Sequence, residues 1–81
     1  MTDVMQLANI AENILRTDTE LNGFELISEN IITKWRNSPS TDSEGRELCY
    51  LQLHALDELH RLLRTTVDNG KIKAHEETLN D

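Results

Sequence analysis

Hydrophobic side chains recur along this chain in steps of three and four residues, and no segment alternates apolar and polar positions over six residues. That period marks amphipathic helices rather than strands. Val4, Leu7, Ala11 and Ile14, with Ile10 beside them, form one stripe and predict a helix from about Asp3 to Arg16, capped by Thr2. Thr17 and Glu20 then stand at capping-box spacing, so a second helix is expected over Thr19–Arg36. Gly23 weakens its first turn and allows a start as late as Asn22. Leu21, Phe24, Ile27, Ile31 and Trp35 make its apolar row, and Asn37-Ser38-Pro39 ends it, because the residue before a proline is driven out of the α region.

The third helix is the longest, about Asp42 to Asp68, with a capping box in Thr41-Asp42-Ser43-Glu44. It carries two adjacent apolar rows. Leu48, Leu51, Ala55, Leu59 and Leu62 form one; Cys49, Leu53, Leu56, Leu63 and Val67 form the other, interrupted by His60. Asn69-Gly70 is a good C-terminal stop. Residues 1–72 are therefore expected to make a single helical domain, and 73–81 a polar acidic tail, frayed or disordered.

A link of about five residues makes the second and third helices antiparallel neighbours. The expected fold class is all-α: an antiparallel αα-hairpin with a long C-terminal helix and a short N-terminal helix. At 1.5 Å per residue the long helix reaches about 40 Å and its partner roughly 25 Å, so it overhangs unless the first helix folds back to cover it. Its apolar face is wider than one short partner buries, and stripes of that kind mark interfaces. Leu48, Leu51, Leu56, Leu59, Leu62 and Leu63 are the candidate interface residues, and a homo-oligomer built as a helical bundle is the expected state.

Composition sharpens this. With 81 residues and 37% hydrophobic side chains, the chain suits one small domain, whose core alone supplies about 3–5 kcal/mol. The lone Cys49 excludes a disulfide within the chain and fits a reducing, cytoplasmic setting. Fifteen acidic against eight basic residues give a formal charge of −7. Residues 1–33 carry a net −5 and residues 34–75 a net +1, with a local basic patch conceivable around Lys34, Arg36 and Arg46. Such a balance repels a bare phosphate backbone, so direct nucleic-acid binding is not expected. No apolar run approaches the roughly 20 residues of a membrane span, and Met1-Thr2-Asp3-Val4 lacks the basic start and apolar block of a secretory signal.

Candidate chemistry is sparse. His54, Asp57, Glu58 and His60 lie close in sequence, but two histidines six residues apart on a helix point about 120° from each other. They do not meet at one metal; surface pairs of His54 with Glu58 and Asp57 with Arg61 are expected instead. Cys49, on an apolar row, suits a small core side chain. No phosphate loop, nucleophile elbow, paired metal-binding histidines or C-x-x-C is present, and neither catalysis nor a cofactor is expected. Trp35 has two readings. It seals the closed end of the hairpin against Leu48 or Leu51, or it joins Arg36, Arg46 and Tyr50 in a site for an anionic or planar ligand, aided by free N–H groups at the start of the long helix.

The run Ile31-Ile32-Thr33-Lys34-Trp35, then Ser38-Pro39, Glu44-Gly45-Arg46-Glu47-Leu48-Cys49-Tyr50-Leu51-Gln52-Leu53-His54-Ala55-Leu56-Asp57 and Val67-Asp68-Asn69-Gly70-Lys71, resembles small helical-hairpin proteins of tailed bacteriophages and prophages. The resemblance covers about residues 21–72. It implies phage origin and action through self-association with a phage or host protein as partner, in virion assembly or host takeover, in the host cytoplasm or the virion. Ser43 through Leu56 is also similar to the second arm of phage anti-defence hairpin proteins that sequester cyclic nucleotide signals as oligomers. That likeness implies a small nucleotide ligand.

Overall fold

The computed structural model describes residues 3–79. It is all-helical, with no strand among them: α1 (Val4–Leu21), α2 (Gly23–Asn37) and α3 (Ser43–Leu79). Both shorter helices pack along α3. At 37 residues α3 is about 55 Å long, and the molecule is a rod of 63 × 24 × 20 Å.

The lengths explain the shape. Trp35 lies against Arg46, Phe24 and Asp18 meet His60, and Ala8 lies against Gly70. As the chain advances through α1 and α2, its partner on α3 therefore moves backwards. α1 and α2 run in succession along the same long helix, so the expected overhang is covered.

The row of α3 that faces the other helices is Cys49, Leu53, Leu56, His60, Leu63, Val67, Gly70 and Ala74, all buried or half-buried. The steps alternate four and three, the period of a coiled-coil seam. The other leucine row points outward. On α2 the facing residues are Phe24, Ser28, Ile31 and Trp35; on α1 they are Ala8, Ala11, Leu15 and Asp18. The stripe predicted for the first helix is thus mostly on its outside: Val4, Leu7, Ile10 and Ile14 remain more than two-fifths exposed, while Ala8 and Ala11 are buried.

Gly70 supplies the reason. A Cβ built there would collide with Ala8 Cβ, so small residues on both sides let α1 and α3 approach closely. This also corrects the expected stop. Gly70 is helical and has no positive φ, so it ends nothing; α3 continues to Leu79, and the stretch from Lys71 to Leu79, expected to fray or be disordered, is helical. Residues 80 and 81 of the predicted tail, and the predicted cap Thr2, lie outside the described residues.

The break between α1 and α2 falls at Asn22 rather than at Thr17–Glu20. Asn22 adopts the left-handed region at φ 54°, ψ 39°, which asparagine tolerates better than most residues. The box of Thr17 and Glu20 is not used. Asp18 caps α2 instead: its Oδ1 accepts the Phe24 N–H at 2.7 Å. An acidic group disfavoured in the last turn of α1 is favoured beside the first turn of α2. At the other end of α2, Ser38 is extended ahead of Pro39, as expected. The start of α3 is capped by Asp42 rather than Thr41, with Gly45 N–H donating to Asp42 Oδ1 at 3.0 Å.

Gly70→Ala gives opposite results under the two roles a glycine can have here. In an open helix interior it would stabilise by about 1 kcal/mol. Against Ala8 it forces the helices apart, and we expect a loss of about 1–3 kcal/mol, measured by urea denaturation. A rise in stability would show that α1 does not sit on Gly70.

Candidate functional site

The turn between α2 and α3 gathers the aromatic and basic residues singled out in the sequence. Ser38, held extended by Pro39, donates its hydroxyl to Trp35 O at 2.6 Å, and its own N–H reaches the same carbonyl at 3.2 Å. Trp35 O is one of the last carbonyls of α2, which a helix end leaves without an intrahelical partner, and Ser38 satisfies it. Arg46, one turn into α3, adds to this closure. Its Nη1 donates to Ser38 Oγ at 3.2 Å and reaches Trp35 O at 3.5 Å. The guanidinium carbon stands 4.5 Å from the centre of the Trp35 ring, a cation–π contact of about 0.5–1 kcal/mol for a partly exposed pair.

Trp35 is therefore not sealed by Leu48 or Leu51, which point outward at 56% and 52% exposure. Arg46 covers it because α3 turns Cys49, not Leu48, towards α2. Beside this contact lies a groove of about 370 Å³ lined by Ile32, Trp35, Arg36, Tyr50 and Leu53. The fold brings Trp35, Arg36 and Tyr50 to one groove, while Arg46 is engaged at the turn. Lys34 lies elsewhere, with Asn30 and Gln52 in a groove that also contains Ile27 and Leu59. The three cations of the conceivable basic patch thus serve three different surroundings. The start of α3 is also less receptive to an anion than its sequence implied, since the Asp42 carboxylate holds Gly45 N–H.

The histidines sort differently from expectation. Arg61 pairs with Glu58 at 2.8 Å rather than with Asp57, and the His54 ring is parallel to Tyr50 within 9°, centroids 6.3 Å apart, rather than paired with Glu58. Both are neighbours on the helix surface, one turn apart. His60 belongs to the seam. Its Nε2 stands 3.9 Å from Asp18 Oδ2 and its ring meets Phe24 edge-on at 5.0 Å. The signal was in the sequence, as the one polar interruption of an apolar row; its partner across the molecule was not. Among the described residues no group of three or more His, Cys, Asp or Glu side chains is placed to hold a metal, and no helix is long and apolar enough to cross a membrane.

The six candidate interface leucines divide into two sets. Leu56 and Leu63 are half-buried in the seam against the other helices; Leu48, Leu51, Leu59 and Leu62 lie outside it and are about half exposed. Sequence reasoning overlooked the matching residues of the shorter helices. Ile14, Leu21 and Ile27 line one groove of about 260 Å³ with Leu56 and Leu59. Ile27 and Leu59 also border the neighbouring groove with Ala55 and Gln52. The opposite side of the seam is charged in its middle stretch, with Glu25, Asp57, Arg61 and Arg64 around Phe24 and His60, and leads into the Trp35 groove.

No protein-family model, curated protein or solved structure matches this chain.

Arg46→Lys keeps the charge and removes the planar stack and the fork of donors. We expect it to lower stability by about 0.5–1 kcal/mol and to shift the emission of Trp35, the only tryptophan. An unchanged spectrum and melt would mean that Arg46 does not rest on Trp35 in solution.

Proposed function

We propose that this is a non-enzymatic helical-hairpin protein of the bacteriophage type, acting through self-association and protein–protein contact in virion assembly or host takeover. One observation carries the self-association. A compact monomer of 9.3 kDa exposes about 5,000 Å², whereas this chain exposes 6526 Å². The excess, about 1,500 Å² on the same scaling, is of the size each chain of an obligate dimer covers. The core points the same way. Its buried hydrophobic residues are Ala8, Ala11, Ile31 and Cys49, no large side chain among the described residues is fully buried, and the big apolar groups of α1 other than Leu15 lie mostly outside. The phage setting and a phage or host partner rest on the resemblance of residues 21–72.

A second reading is favoured by the convergence of Trp35, Arg36 and Tyr50 on one groove. There the protein is an oligomeric anti-defence factor, and the groove takes the planar base and phosphate of a cyclic nucleotide or related signalling nucleotide. Arg36 supplies charge and the aromatic rings supply stacking surface.

Analytical ultracentrifugation at tens of micromolar tests the first reading, with association of the chain as the expected result; a monomer with a fully cooperative melt would sink it. A thermal-shift panel of cyclic dinucleotides and other phosphorylated nucleotides tests the second. A ligand at 100 times its dissociation constant stabilises by about 2.7 kcal/mol, so a flat response removes it.

A further inference from the structure

We propose that a second copy of this chain docks on the apolar flank centred on Ile14, Leu21, Ile27, Leu59 and Leu62, forming a two-fold dimer. The proposal rests on the self-association reading and adds the face and the geometry.

The two sides of the seam differ in kind. On one side, charged residues border two of the grooves, Glu25, Asp57, Arg61 and Arg64 in one and Glu12 and Lys71 in another, and the aliphatic lining of the third is Ile32 and Leu53 beside Trp35 and Tyr50. On the apolar side, every helix contributes large aliphatic groups. Ile14 is 43% exposed, Ile27 52%, Leu59 47% and Leu62 60%. Only Asp18 and Lys34 bring charge to the two grooves there, and Asp18 is occupied by the Phe24 N–H.

Three features select a second copy as the occupant. The first is area: the rod shape leaves about 1,500 Å² more surface than a compact chain of this mass, enough for one chain's share of a stable homodimer interface. The second is shape. Ile27 and Leu59 border both grooves, one reaching Ile14 and Leu21, the other reaching Ala55 and Gln52. The pair is a ridge with a hollow on each side. Under a two-fold operation the ridge of each chain enters a hollow of the other, the self-complementarity that an isologous interface requires. The third is charge. Two chains of net −7 repel, so they associate through a region poor in acids, and Asp18 is the only acid lining the two grooves of this flank; a basic partner would instead be drawn to the acidic surfaces elsewhere. With this flank covered, the groove of Trp35, Arg36 and Tyr50 stays open once on each chain.

The test uses the full chain. Sedimentation velocity gives the association number. In methyl NMR, a soluble paramagnetic agent broadens exposed groups; Ile14, Ile27 and Leu59 are compared with Ile32, which borders the Trp35 groove. We expect a dimer, several-fold weaker broadening of the first three methyls than of Ile32, and at least a hundredfold weaker association for Leu59→Asp but not for Ile32→Asp. The wild-type measurement stands even if Leu59→Asp fails to fold. A monomeric wild type overturns both the self-association reading and the interface. An associated chain whose Ile32 methyl is protected while Ile14, Ile27 and Leu59 are broadened overturns the interface alone, as does an assembly larger than two.

Discussion

One long helix has to serve two short ones that are out of phase with each other, and the rest of the molecule follows from how that is managed. The seam of α3 keeps its alternation of four and three from Cys49 to Ala74. A continuous partner would carry the seam of α1 from Asp18 to Glu25, seven residues on. It resumes instead at Phe24, one residue early. The left-handed turn at Asn22 absorbs the difference, and Asp18 makes it stable by capping the new helix while standing beside His60. A polar pair at that point of an otherwise apolar seam has a second effect. Sliding α1 along α3 by a turn would leave Asp18 facing Leu56 or Leu63, so the pair fixes the register as well as the break.

The two short helices then divide the labour. α2 brings Ile31 and Phe24 to the seam and closes the turn through Trp35, Ser38 and Arg46. α1 brings alanines and lies close to Gly70. Close approach gains dispersion contact along the backbone but buries little side-chain area. Leu15 apart, its isoleucines and leucines are left outside the seam, Ile14 and Leu21 beside Leu59 of α3. The apolar surface is therefore a by-product of the same choice of small inward residues that fixes the spacing between α1 and α3.

Much of this was legible in the sequence, and the failures have physical causes. The all-α class, the turn at Ser38-Pro39 and the two rows of the long helix follow from period and local stereochemistry. Row membership could be read; which row faced inward could not, because both are apolar. For the first helix the apolar stripe of Val4, Leu7, Ala11 and Ile14, with Ile10 beside it, is drawn by hydrophobicity alone and is made mostly of large side chains. The structure buries the smallest, because the distance between helices is set by Gly70 some sixty positions away. Asn69-Gly70 has the composition of a stop, yet glycine also permits close packing, and only the tertiary partner distinguishes the two. At the turn, Trp35, Arg36, Arg46 and Tyr50 were grouped by their place at the bend. That Arg46 rests on the Trp35 ring while Arg36 and Tyr50 line the groove beside it depends on the rotation of α3, which the sequence does not give.

The order in which these contacts become possible is built into the connectivity. Arg46 and Trp35 are eleven residues apart and meet as soon as the turn forms, whereas Ala8 and Gly70 are separated by most of the chain. Each step away from the turn lengthens the loop to be closed only slightly once its neighbour is in place, so assembly resembles a zipper with its slider at Pro39. Opening runs in reverse, from the end of the rod far from Pro39, where α1 meets α3 through small residues. Backbone amides should therefore exchange with solvent along a gradient, slowest beside Trp35 and Cys49 and fastest around Ala8 and Gly70. Uniform protection along α3 would instead mean that the long helix opens as one piece.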